Sequence, residues 1–271
     1  MHWSSLSEIR RILSRGTSIA WLKEFYGWRK NEQLHSLPSG QRNGDTIAIV
    51  LSYKRPQNME TIVSALLKTP SVSRIILSNN NPACHLERWY GLHHPAVEVI
   101  SQPVQSSAIM RFRLARAHPA SQYLIVDDDL FLSPHQYELL CSAVRTSPDQ
   151  PHGMFGQRCC ADGNWVQAIH GCNDHLDVIS RVYALTHEHL QEFFRLFAVL
   201  GMADDPSIWQ RSTGDDVVLS FTGTKKPLCH DIGPYLDCPT QGDPRIATWQ
   251  QSGFFERRQA LYHQLCAQKS I

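Results

Sequence analysis

Four apolar runs punctuate the stretch from Asp45 to Asp129, and helical segments lie between them. "TIAIVLSY", "VSRIILSNNNP", "AVEVI" and "YLIVDDD" read as buried strands, while "NMETIVSALLKT" and "SSAIMRFRLARAH" carry apolar residues at helical intervals. This alternation predicts an α/β fold with a mostly parallel central sheet flanked by helices, whose ligands gather beyond the carboxyl ends of the strands. Three of those ends carry polar tips: Tyr53-Lys54-Arg55, Asn79-Asn80-Asn81 and Asp127-Asp128-Asp129. They are expected to converge on one crevice. Beyond about residue 150 the strand pattern becomes less regular, and no internal repeat or low-complexity tract interrupts the chain.

The triple aspartate is the most demanding of these tips. Acidic residues can simply mark the place where a strand leaves the core. Three adjacent carboxylates, however, repel one another unless a cation or solvent compensates, which favours a functional reading. A hard divalent ion with oxygen ligands, Mn²⁺ or Mg²⁺, is the natural compensator and keeps positions open for phosphate oxygens.

Charge and cysteine usage narrow the partners. Twenty-six basic against 25 acidic residues leave a formal charge of +1, so the field of the whole molecule does not favour nucleic acid. No segment approaches the run of about 18 apolar residues needed for a membrane span, and the N-terminus lacks the apolar stretch of a secretory signal. The eight cysteines follow no framework spacing and form no CxxC pair, which suits free thiols in a reducing compartment. These features predict a cytoplasmic protein. Residues 1–44 form a separate unit, an N-terminal helical extension and linker, ahead of a main domain over 45–271. Trp3, Leu6, Ile9, Ile12, Trp21, Phe25 and Trp28 recur there at helical intervals among Arg10, Arg11, Lys23, Arg29 and Lys30. Such helices either lie on an anionic membrane surface or pack on the domain or a second copy of the chain. "SLPSGQRNGD" reads as the linker.

The segments "IVLSYKRPQNMETIVSALLKTPSVSRIILSNNNP", "MRFRLARA", "YLIVDDDLFLSP", "FGQR" and "GDDVVLSF" resemble, in order, the motifs of exostosin-type transferases of glycosyltransferase family 64, and "ATWQQSGFFERRQ" is similar to that family's Trp-containing C-terminal helix. The resemblance covers about residues 45–265. It implies a GT-A fold and a metal-dependent enzyme that moves a hexosyl or N-acetylhexosaminyl unit from a nucleotide diphosphate donor, usually a UDP-sugar, to a glycan or other hydroxyl acceptor with retention of configuration. Asp127 and Asp129 match the Asp-x-Asp motif, with Asp129 as the most direct metal ligand. Ser52, Arg55, Asn79, Asn80, Arg111, Asp127 and Asp128 are implied donor contacts. Arg113 and Arg116 are weaker candidates, and Gln157 and Arg158 match only loosely.

The second acidic pair, Asp215-Asp216, follows Ser212-Thr213-Gly214. Acidic residues in a first helical turn also serve as ordinary dipole partners. The resemblance implies a catalytic role for both, with Asp216 at the oxocarbenium-like centre or orienting the acceptor hydroxyl. It implies that Arg258 stabilises the leaving diphosphate. Trp249 offers an apolar face to a sugar or to the core, and His230 is either an additional metal ligand or a structural histidine. The chain also departs from the family pattern. Gly214 stands where a disulfide cysteine is expected, its partner is missing, and "CCADGNWVQAIHGCNDHLD" on the acceptor side matches poorly.

Other classes share parts of this pattern. A haloacid-dehalogenase-type phosphatase would place its nucleophilic aspartate on the first strand and not after several strand-helix units. A nucleotidyltransferase would carry a Gly-rich basic signature near its first strand. A non-catalytic nucleotide-sugar-binding protein would not need two acidic pairs.

Overall fold

The structure, a computed structural model, describes residues 18–38, 42–160, 164–203, 205–209 and 214–269. The first expected helix, with Trp3, Leu6, Ile9 and Ile12, and the Ser212-Thr213 dipeptide lie outside the described residues.

In chain order the elements are α1 (Ile19–Asn31), β1 (Thr46–Ser52), α2 (Met59–Leu67), β2 (Val72–Asn79), β3 (Val97–Ser101), α3 (Met110–Ala117), β4 (Gln122–Val126), β5 (Leu130–Phe131) and α4 (Pro134–Thr146). Then come β6 (His152–Cys159), β7 (Trp165–His170), β8 (Asp174–His175), β9 (Val178–Thr186), α5 (His187–Val199), α6 (Asp215–Ser220), β10 (Leu228–Cys229), β11 (Leu236–Asp237) and α7 (Phe254–Lys269). A nine-stranded sheet runs in the order β3-β2-β1-β4-β9-β6-β10-β8, with β7 paired to β6. Strands β1 to β4 pair in parallel, β9 is antiparallel to both β4 and β6, and β10 is parallel to β6. Six strands (β1, β2, β3, β4, β6 and β10) therefore point the same way, which is the mostly parallel α/β sheet expected.

Side chains alternate between two apolar layers, one on each face. Along β1, Ala48 and Val50 join the layer that includes α2 and α4, whereas Ile47, Ile49 and Leu51 join the layer under α3, α5 and α6. A sheet covered on both faces explains why these strands read as continuous apolar runs. Capping boxes set the starts of two flanking helices: Ser133 and Gln136 exchange bonds at α4, and Thr186 and His189 do so at α5.

Helix α1 turns its aromatic side to the domain. Phe25 is buried, with its ring 4.8 Å from Trp21 and 4.8 Å from Phe131, and the Trp21 indole N–H donates to the Asp237 carbonyl at 2.9 Å. Of the two settings expected for this helix, packing on the domain uses its apolar face. The linker is also fastened, since the Arg42 guanidinium donates to the carbonyls of Leu67, Thr69 and Val72.

The C-terminal segment differs from expectation. Trp249 was expected on the last helix, but Thr248–Gln250 forms a separate 3₁₀ turn and α7 begins only at Phe254, leaving Trp249 largely exposed. Gly253, with φ of +72°, makes the break between the two. None of the eight cysteines forms a disulfide with another described residue.

Candidate active site

Strand β4 delivers Asp127, Asp128 and Asp129 beyond its carboxyl end, beside the ends of β1 and β2. An arginine from a different element meets each carboxylate. Arg111 of α3 reaches Asp127 at 2.9 Å, Arg55 after β1 reaches Asp128 at 2.7 Å, and Arg181 of β9 reaches Asp129 at 3.1 Å. Mutual repulsion among the aspartates is thus offset within the protein.

The three aspartates are not equivalent. The Asp128 side chain is 7% exposed, and both its oxygens are engaged, one by Arg55 and the other by the Tyr53 backbone N–H at 2.9 Å. Arg55 also donates to the Thr240 hydroxyl at 3.1 Å and carbonyl at 2.9 Å. Asp128 therefore anchors Arg55 and the end of β1. Asp127 and Asp129 keep 28% and 15% of their side chains exposed. Burial, opposed by Arg111 and reinforced by Asp129 and Asp128, pushes the Asp127 carboxyl up to about 7. Burial works against the charge on Arg111, but Asp127, Tyr183 and Asp215 more than restore it and hold its pKa well above the ordinary value.

Two partly open carboxylates form an oxygen-only donor set. Among the described residues no group of three or more His, Cys, Asp or Glu could hold a metal ion. The residues therefore fit an ion bound by one or two carboxylates and completed by substrate phosphates, which is the habit of Mg²⁺ and Mn²⁺ in phosphate chemistry. They do not form a closed cage.

The second acidic pair sits at the start of α6. Gly214 precedes it with φ of +97°, and a Cβ there would stand 2.6 Å from Leu261 Cδ2. Only glycine turns the chain at that point without strain. Asp215 is buried and lies 3.2 Å from the Arg111 guanidinium, which also donates to the Tyr183 hydroxyl at 3.0 Å. Asp216 pairs with Arg258 of α7, and Arg258 donates from its other terminal nitrogen to Gln157 Oε1 at 2.9 Å. Arg111 thus joins two acidic motifs 88 positions apart (127 to 215) into one network.

The remaining expected residues fall on either side of this network. Asn79 and Asn80 are buried at the end of β2. Asn79 donates to the Cys84 carbonyl at 2.9 Å, Asn80 donates to the Ser107 carbonyl at 3.0 Å, and the Asn80 backbone N–H donates to Ser52 O at 2.8 Å. The Ser52 hydroxyl is buried and has no hydrogen-bond partner among the described residues. Arg113 and Arg116 are exposed, with Arg116 lying over the Phe194 ring. Arg158 is exposed and pairs with Asp174 at 2.6 Å. His230 is spoken for elsewhere: its ring stacks on His152, with 2.8 Å between ring nitrogens, and burial followed by the His152 charge lowers its pKa to about 4. The described contacts of its ring are with His152 and not with the aspartates.

Sequence reading missed Arg181, which also binds Asp237 at 2.5 Å and places its guanidinium over the Phe155 ring. Its backbone lies at φ of +66°, where the β6–β9 register slips by one residue on the β9 side. The bulge turns a strand residue toward the site. The available signal was the one charge inside "VISRVYALT".

A family model described as the glycosyl transferase family 64 domain matches residues 46–267. No curated protein sequence matches the chain. Two solved structures resemble it weakly. GalNAc-T7, crystallised with UDP, GalNAc and Mn²⁺, is 10% identical with a TM-score of 0.48, over 72% of this chain and 45% of that one. CMP:2-keto-3-deoxy-manno-octonic acid synthetase complexed with CTP is 10% identical with a TM-score of 0.47, over 82% and 99%. The chain spans under half the length of the first of these. The family match extends over most of the sequence and contains both acidic motifs and Arg258, and the chain belongs to glycosyl transferase family 64.

Proposed function

We propose that this domain is a metal-dependent, retaining transferase of the exostosin type, moving a hexosyl or N-acetylhexosaminyl unit from a UDP-sugar to a hydroxyl of a glycan or similar acceptor. The observation that supports this reading is the double engagement of Arg111, 2.9 Å from Asp127 and 3.2 Å from Asp215, because it joins the aspartates of β4 and the second acidic pair in one network.

Asp129 and Asp127 would hold Mn²⁺ or Mg²⁺, which when bound supplies positive charge to the diphosphate. Ser52, Arg55, Asn79 and Asn80 bound the nucleotide end, with Asp128 fixing Arg55. In the transfer, the bond from the anomeric carbon to the diphosphate oxygen breaks and its electron pair leaves with UDP. The acceptor oxygen bonds to the same carbon, and its proton passes to the departing UDP. Asp216 stabilises the positive charge that develops at the anomeric carbon, and Arg258 stabilises the negative charge on the leaving group. Arg111 and Asp215 position these groups relative to the aspartates of β4. The exposed Lys23 and Lys30 of α1 serve contact with an anionic membrane surface or a second copy at a cytoplasmic location, which co-sedimentation with anionic vesicles and the mass in solution test.

Calorimetric titration of UDP with Mn²⁺ and with excess chelator tests the core of the proposal. Affinity is expected only with the ion, and Asp129→Asn should lose it. Equal affinity under both conditions would overturn the metal assignment.

A further inference from the structure

Three elements supply the groups that meet at Arg258: β6 brings Gln157, α6 brings Asp216 and α7 brings Arg258 itself. All three are tied to the start of β9. We propose that Asp177, the residue just before that strand, is a positioning residue for the transfer, seating α7 through the Tyr262 hydroxyl so that Arg258 stays between Asp216 and Gln157. This inference rests on the transferase reading above and adds a residue to it.

The ties run to different elements. Asp177 Oδ1 accepts from the Tyr262 hydroxyl of α7 at 3.0 Å and from the Lys226 ammonium at 2.7 Å. Its Oδ2 accepts from the Cys159 backbone N–H of β6 at 2.7 Å, and its own backbone N–H donates to the Gln157 carbonyl at 3.1 Å. Two residues on, the Ile179 backbone N–H donates to the Ser220 hydroxyl of α6 at 3.0 Å, and that hydroxyl donates to the Asp216 carbonyl at 2.7 Å. Both ends of the Arg258–Gln157 bond are therefore referred to one residue, and the acidic partner of Arg258 is referred to the same strand start.

Helix geometry makes the tie to Tyr262 the decisive one. Tyr262 lies four residues after Arg258, one turn further along the same face of α7. Fixing Tyr262 fixes the rotation of the helix about its axis and its distance from β6, the two quantities that aim Arg258. The Tyr262 ring also meets Trp165 edge-on at 4.9 Å and Phe221 at 5.3 Å. Apolar packing is non-directional, whereas a hydroxyl-to-carboxylate bond has a defined length and angle and is about twice as strong as a neutral one. Asp177 is 6% exposed. Burial works to raise its carboxyl, but the bonds from Lys226, Cys159 and Tyr262 outweigh it and hold the group below its ordinary value, so Tyr262 meets the charged form. Burial, and then the Asp177 charge, raises Tyr262, which keeps its proton and donates.

Calorimetric titration of the full chain with UDP in the presence of Mn²⁺, alongside melting temperatures, tests the inference. Tyr262→Phe removes only the hydroxyl and keeps the ring. It should weaken UDP about fivefold, the scale of one hydrogen bond, because Arg258 is no longer held toward the phosphate. Since Tyr262 acts through Arg258, the double variant Tyr262→Phe with Arg258→Ala should bind UDP as Arg258→Ala alone does, while any loss of melting temperature from Tyr262→Phe should persist in it. Asp177→Asn should give the same pattern, and either variant alone suffices. Wild-type UDP affinity in Tyr262→Phe with only a lower melting temperature, or a further fivefold loss on top of Arg258→Ala, overturns the positioning role and leaves the transferase reading standing. No UDP binding by the wild type overturns the transferase reading and this inference with it.

Discussion

The end of β4 and the β6–β7 pair lie on either side of β9, and they place their side chains by different means. At β4 the strands β1 to β4 are regular and parallel, and Asp127 and Asp128 meet Arg111 and Arg55 from neighbouring elements, while only Arg181, the partner of Asp129, comes from the bulge of antiparallel β9. At β6 and β7 the register slips, Ala168 takes a left-handed backbone, and the partner of Gln157 comes from a helix 101 positions further on. Regular pairing fixes where a side chain goes from its place in the strand alone. A bulge breaks that rule, and direction must then be read from the fold.

The sharpest way to break this comparison is at Asp128. If regular packing has made it a structural anchor, Asp128→Ala leaves Arg55 buried without its partner and should cost roughly 3–5 kcal/mol of stability, read by denaturant unfolding. Asp127→Asn and Asp129→Asn should unfold at much higher denaturant than Asp128→Ala while losing Mn²⁺-dependent UDP binding. Equal destabilisation by all three would mean that the aspartates are one structural cluster.

At the second motif the expectation reverses. Asp216→Asn should lower turnover about 100-fold, the scale of one preorganised electrostatic group, with UDP affinity nearly unchanged. Arg258→Ala should lower turnover and also weaken UDP, because the phosphate it is proposed to meet persists in the product. Normal turnover by Asp216→Asn, with only a lower melting temperature, would reduce the pair to a helix start.

A smaller effect is expected at the turn that feeds this motif. Gly214→Ala places a Cβ against Leu261 at φ of +97° and should cost about 1–3 kcal/mol. Unchanged stability would show that the turn relaxes freely.

The smallest effect concerns pH. Burial, and then the charge of His152, lowers His230 to about 4. Its unfolded value is near 6.5. A depressed folded pKa means that the unfolded chain binds more protons between these values, so stability is full above about pH 6.5 and is lost as pH falls toward 4. Melting temperatures from pH 7 to 4 should fall less steeply in His230→Gln than in the wild type. Parallel curves would remove His230 from the account.

What could be read from sequence follows the same division. The strands β1 to β4 were legible because both their faces are covered, which writes them as apolar runs, and their charged tips were legible because they follow those runs directly. Asp215-Asp216 were visible as a pair after a glycine. Arg181 and the partnership of Gln157 with Arg258 were not, since a bulge residue has no periodic signature and a contact between β6 and α7 leaves no mark in local spacing. Trp249 was misplaced because its segment has helical composition on both sides of Gly253, and only the backbone shows the break.

The arginine given to each aspartate of β4 also bears on how the protein is made and kept. A site whose charges are already balanced by its own side chains does not need an ion in order to fold. On the function proposed above, newly synthesised chains would accumulate in finished form whether or not manganese is plentiful, and a change in the ion's supply would alter how fast sugar is transferred without altering how much protein is present.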